Sequence, residues 1–231
     1  LVPLMGSIYF GAMLIALILN LDQVLPAFKL ILVDAFNGTA VAGGTFFGVL
    51  IYGVRRGAFS NEAGMGTESL VHGVAKVSNP VKQGLVAMTG PIFDTLIICT
   101  ATALMILVSG VWETSSSQGV TLTAEAFSIL LGNFGGLILF TCVICFGLST
   151  IFTYSYYGAS CSRFLFGNFG MKFYIYLYIF SIFIYSIVPI DIAINIADGA
   201  FALMAIPTLI SALWLAPKAV SYTHLTLPTT G

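Results

Sequence analysis

Charge is missing from long stretches of this chain, and the spacing of the few charges dictates what it can fold into. The first 21 residues carry none. There are 20 uncharged residues between Asp34 and Arg55, 18 between Asp94 and Glu113, 18 between Lys172 and Asp191, and 19 between Asp198 and Lys218. A helix needs about 20 apolar residues to cross roughly 30 Å of hydrocarbon, and each run approaches that length. The run between Glu125 and Arg163 is longer, at 37 residues. It fits one long tilted helix with an apolar lead-in, or a span plus an interfacial helix. Charged residues make up 7% of the chain, against about a quarter in a soluble domain, so water is excluded as the main solvent. The expectation is an all-α integral membrane protein with about six transmembrane helices, near 2–20, 40–58, 84–108, 134–158, 172–190 and 193–216.

The basic residues orient these spans. If the first helix runs outward, alternation puts Arg55, Arg56, Lys76, Lys82, Arg163, Lys172 and Lys218 on the cytoplasmic side and leaves Lys29 outside. That asymmetry follows the positive-inside rule. The serine-rich stretch 113–119 then faces outward. Leu25, Phe28, Leu32 and Phe36 have helical spacing, which predicts an amphipathic half-helix on the outer face.

Several residues in these spans are able to carry chemistry. The second span opens on GGTFFG, where Gly43, Gly44 and Gly48 weaken the helix. A lipid-exposed helix hides its backbone, so a break there has to face protein or a water-filled cavity. Half-helix ends carry about half an elementary charge and suit a zwitterion. This makes Gly43, Gly44, Thr45, Phe46, Phe47 and Gly48 candidates for substrate binding, with Phe46 and Phe47 leaving room only for a small side chain. The same glycines also suit close helix packing. In the fourth span, Ser149, Thr150 and Thr153 offer oxygen ligands for sodium, a hard cation, or else bond to carbonyls of their own helix. Asp94, about ten residues into the third span, is an ion or proton relay or a structural residue bonded to Thr95, Thr89 or backbone freed by Pro91. Arg55, Arg56, Asn61 and Glu62 stand at the cytoplasmic mouth, where an arginine paired with Glu62 forms a gate or latch; lipid anchoring is the plain alternative. Asp198 fits a helix start or the membrane interface, and His72 a solvated loop.

Enzyme chemistry finds little support. Cys142 and Cys145 have the spacing of a metal or redox pair but lie in an apolar span, where buried cysteine behaves as a small hydrophobe. No cofactor and no metal beyond sodium is expected. Residues 221–231 read as a non-native tail, and residues 1–218 as part of a larger transporter domain.

RRGAFSNEAGMG (Arg55 to Gly66) and NPVKQGLVAMTGPIFDTLIICTATALMIL (Asn79 to Leu107) resemble the alanine or glycine:cation symporter family, the sodium:alanine symporters. STIFTYSYYG (Ser149 to Gly158) and IADGAFALMAIPTLISAL (Ile196 to Leu213) resemble later parts of it. The chain departs from the family at Thr67, Glu68 and Ser69, and at Thr153 and Tyr154. The resemblance implies a leucine-transporter-type bundle of two inverted five-helix repeats with a broken helix. The first span would then end one repeat, and 40–216 would form the second. It also implies Ser149 and Thr150 at a sodium site, and symport of alanine or glycine with Na+ by alternating access. The setting would be the plasma membrane, in bacteria the inner membrane; the net charge of −1 gives no reason to expect a nucleic-acid partner. A proton-coupled carrier, or a channel-like or non-transporting subunit, is the alternative.

Overall fold

The structure, a computed structural model, describes residues 2–35, 45–62 and 64–226, apart from the side chains of 45, 46 and 222–226. All regular structure among the described residues is helical: α1 Val2–Leu19, α2 Leu21–Ala35, α3 Thr45–Asn61, α4 Thr67–His72, α5 Pro80–Ser109, α6 Val111–Thr114, α7 Val120–Leu131, α8 Asn133–Tyr185 and α9 Ile190–Thr226. Four of these are long and apolar enough to cross a membrane: α1, α5, α8, and α9 over Ile190–Ser221. The sequence suggested about six. The difference lies in α3, which has 17 described residues, and in α8, which covers two of the expected spans.

At 53 residues α8, if straight, would extend about 80 Å, far beyond a bilayer. It is not straight. Gly167 takes φ 68°, ψ −157°, a region essentially reserved for glycine. Around it the chain doubles back: the Ser162 hydroxyl donates to the Gly170 carbonyl at 3.2 Å, and the Tyr174 ring lies against the Gly158 backbone. The reversal between the expected spans 134–158 and 172–190 is thus made at one glycine, with helix continuing on both sides. The start of α5 is conventional, since the Asn79 side chain accepts from Val81 N and Pro80 takes the first helical position. Pro91 then lacks an N–H for the ladder, and the next residues, Ile92–Cys99, wind as π-helix. The last helix, α9, begins at Ile190, just after Pro189, and continues past Ser221 to Thr226.

The described chain divides into two compact units, Leu1–Ile51 with Thr95–Tyr156, and Tyr52–Asp94 with Tyr157–Gly231. In the first unit, Ala12, Met13, Ala16 and Leu17 form a buried stripe on α1. The stripe joins Ala101, Leu104, Met105 and Val108 of α5, Ala27 of α2, Phe127 of α7 and Leu139 of α8 in one core. Alanines at the contact let helices approach closely, as membrane packing requires. Tyr9 stacks on the fully buried Phe127 with centroids 5.5 Å apart, and its hydroxyl is 3.0 Å from Thr102 Oγ1. In the second unit no residue of Ile190–Ser221 is buried, as suits apolar side chains whose solvent is lipid.

Candidate functional site

The described polar structure of the second unit centres on the end of α3. Tyr52, Arg55, Arg56, Phe59 and Ser60 recur at three- and four-residue intervals and form one stripe. Arg55 Nη2 donates to Asp198 Oδ2 at 2.7 Å, and Arg56 Nη2 lies 3.8 Å from the same oxygen. One turn on, Phe59 meets Phe201 edge to face with centroids 5.1 Å apart. The Ser60 hydroxyl donates to Asp94 Oδ2, at the third residue of the π segment. Thus α3 is tied to α9 by an ion pair and a ring contact, and to α5 by a hydroxyl–carboxylate bond. The Arg56 guanidinium also stands 5.1 Å from the centroid of the Tyr52 ring, within cation–π range.

After α3 comes a turn in which Glu62, Gly64 and Gly66 all have positive φ, of 52°, 79° and 92°. Glycine is needed twice over at Gly66, because a Cβ there would lie 2.8 Å from Thr208 Oγ1. Met65 and Thr67 on either side are buried, which anchors the turn. His72 follows, with its Nδ1 hydrogen-bonded to Gln83 Nε2 at 2.6 Å rather than free in a loop.

In the first unit, the Ser149 hydroxyl donates to the Phe146 carbonyl and that of Thr153 to the Ser149 carbonyl, each at 2.8 Å. Both hydroxyls therefore spend their proton on their own helix. A hydroxyl that donates still has lone pairs to offer a cation. Thr150 is half-buried on the same stretch. A pocket of about 270 Å³ lies between α1 and α8, lined by Leu4, Met5, Ile8, Leu137, Cys142 and Cys145 among others. Cys142 is buried there, with its sulfur 3.9 Å from the Met5 carbonyl oxygen.

The six proposed substrate residues are only partly visible. Gly43 and Gly44 lie outside the described residues, as do the side chains of Thr45 and Phe46. Phe47 is exposed, and Gly48 sits in uninterrupted helix. A Cβ at Gly48 or at Gly53 would meet nothing within 4 Å, so neither glycine marks a close helix contact among the described residues. Arg55, Arg56 and Asp94, singled out in the sequence, meet here two partners it did not pair them with: Ser60, which it did not name, and Asp198, which it placed at a helix start. Asp198 lies nine residues into α9, not at its head. The signal was Pro189, which starts the helix earlier and moves Asp198 into the span. Asp94 takes its bond from Ser60, while the Thr89 hydroxyl donates to Val86 of its own helix.

The sodium:alanine symporter family matches residues 1–225. The chain is 36% identical over 225 residues to the "Sodium/alanine symporter AgcS" of Methanococcus maripaludis, covering 96% of this chain and 49% of that protein. It is 35% identical over 224 residues to the "Uncharacterized transporter YflA" of Bacillus subtilis, covering 94% and 47% respectively. To the "Probable sodium/glutamine symporter GlnT" of the same organism it is 33% identical over 220 residues, covering 95% and 46%. The chain thus spans about half the length of the curated relatives it matches. Helices built for lipid, a polar stripe inside them and this match along nearly the whole chain lead to one conclusion: the chain belongs to the sodium:alanine symporter family.

Proposed function

We propose that the chain is the substrate- and ion-handling portion of a sodium-coupled symporter that moves alanine or glycine across the plasma membrane by alternating access. The observation that carries this reading is the family match over residues 1–225, on a chain whose spans are helical. Gly43, Gly44, Thr45, Phe46, Phe47 and Gly48 cradle the zwitterion, and the two phenylalanines restrict it to a small side chain. Ser149, Thr150 and Thr153 supply oxygen to Na+, the protons of Ser149 and Thr153 being turned to backbone carbonyls. Arg55, Arg56, Asn61 and Glu62 close the cytoplasmic mouth, and Asp198 supplies a carboxylate to that gate. Asp94, bonded by Ser60, serves as an intramembrane ion or proton relay. Six spans follow if α3 is counted and α8 is divided at Gly167, and they belong to one and a fraction of two inverted repeats.

The test grafts residues 1–218 into the Methanococcus maripaludis symporter in place of its matched segment and measures alanine uptake in proteoliposomes. Saturable, sodium-driven uptake with counterflow is expected. Flux that is linear in alanine, or indifferent to the sodium gradient, overturns the reading. Within the graft, Thr150→Val is expected to weaken sodium dependence and Phe47→Ala to admit larger side chains.

A further inference from the structure

We infer that the turn of Glu62, Gly64 and Gly66 stands near the middle of the bilayer and lines a water-filled vestibule open to the cytoplasm, with α9 as a second wall. Depth follows from α9. The end of α3 and the turn after it run alongside α9 in the same direction: Arg55 meets Asp198, Phe59 meets Phe201, and Gly66 lies against Thr208. Thr208 is ten residues after Asp198 and ten before Lys218, at the centre of a 19-residue run without charge. Ten helical residues rise about 15 Å, half of the roughly 30 Å of hydrocarbon. With Lys218 at one surface, Thr208 and the turn against it reach mid-membrane.

Backbone outside a helix is stable at that depth only inside protein or beside water. Water fits the residues present. Glu62 and Glu68 flank the glycines and are half-buried, and Ser69 is exposed. Carboxylates inside a membrane face a polar interior or a water-filled cavity, not acyl chains. Thr67 is only 2% exposed, and its hydroxyl has no hydrogen-bond partner among the described residues; a bound water meets that need. The α9 helix is two-sided beside the turn. Asp198, Phe201, Ala205 and Thr208 recur at three- and four-residue intervals and are half-buried, whereas Leu203, Ile210 and Trp214 on the opposite side are exposed. The first side carries the polar groups, and the second suits lipid. Thr208 donates its proton to the Met204 carbonyl at 3.0 Å, which leaves its lone pairs for water.

The opening is cytoplasmic. Past the turn the chain leads to Lys76 and Lys82, which the positive-inside rule puts with Lys218 on that side. The Arg55–Asp198 pair lies farther in, so the proposed gate forms the floor of the vestibule. This inference does not rest on the choice of cargo or coupling ion; it needs only α9 in a bilayer.

The experiment uses the full chain in cell membranes, its native cysteines replaced, with Thr208→Cys, Ser69→Cys or Ile210→Cys introduced singly. A charged, impermeant methanethiosulfonate attacks thiolate, which forms in water and not in lipid. After permeabilisation, Thr208→Cys and Ser69→Cys are expected to react about tenfold faster than Ile210→Cys, or more. In intact cells all three should stay unmodified. A fluorophore attached to Ile210→Cys in detergent and carried into vesicles should be quenched more by lipids brominated at mid-chain than by lipids brominated near the headgroup. One reactive position of the two at the turn suffices, so a local packing effect of either substitution leaves the test intact. Equal rates at all three positions, or silence at both Thr208→Cys and Ser69→Cys, overturns the inference. So does modification in intact cells, or stronger quenching near the headgroup.

Discussion

Asp198 shows what one residue decides. Its side chain is 11% exposed and that of its partner Arg55 is 52% exposed. Removing the carboxylate frees an arginine that water can reach, so the loss is smaller than for a fully buried pair. Asp198→Asn is expected to cost about 1–2 kcal/mol of stability, by chemical denaturation in micelles. In a double-mutant cycle, Arg55→Gln should couple to it more strongly than Arg56→Gln does. Equal coupling of both arginines would mean that the 2.7 Å bond is not the dominant one. The second prediction concerns pH. Ser117 Oγ donates to Glu125 Oε1 at 2.6 Å, and this bond first, then Ser115, holds the Glu125 carboxyl below its ordinary value. A carboxyl lowered in the folded state adds stability that is complete above the ordinary carboxylate range. That contribution fades as pH falls through the lowered value. Ser117→Ala should shift the Glu125 titration upward, as followed by carboxyl carbon NMR, and shrink the acid-side loss. An unmoved titration would show that the serine does not set it. The acid for Arg55 was not legible in sequence, because Asp198 lies 143 positions away and no local pattern joins the two.

At the scale of elements, α8 and α5 differ from their sequence reading for backbone reasons. A run of mixed aromatic and small residues gives no local stop until Gly167, where φ 68° and ψ −157° exclude a side chain for conformational reasons alone. A Cβ there would meet nothing within 4 Å. Gly167→Ala is therefore expected to cost about 1–3 kcal/mol through strain. Gly84→Ala, which also faces open space but sits in regular helix, should gain up to about 1 kcal/mol. Thermal unfolding of the two variants side by side tests the pair; losses of equal size would show that Gly167 is not a special conformation. In α5 the proline was legible, but not the register change after it. The eight-residue π segment puts Asp94 within reach of Ser60, and a helix drawn with an ordinary 3.6-residue period does not show which neighbour that is.

For the whole molecule, the strongest statement is about solvent and orientation. If α1 runs outward, as the charge asymmetry predicts, Ser117 faces outside and Lys76 the cytoplasm. Cysteines placed singly at these positions, with native cysteines replaced, should react with an impermeant maleimide in intact cells at 117 and only after permeabilisation at 76. The reverse pattern inverts the topology. The sequence alone determined that this chain is helical, lives in lipid and belongs with sodium:alanine symporters. Transfer free energy adds up residue by residue along a run, and motif likeness is equally linear, so both can be read without coordinates. Only the tertiary structure decided that Asp198 answers Arg55, that Ser60 answers Asp94 and that Gly167 reverses α8. Each depends on which distant groups the packed helices bring within bonding range, or on a backbone angle stabilised by that packing, and neither is a property of any short stretch of chain.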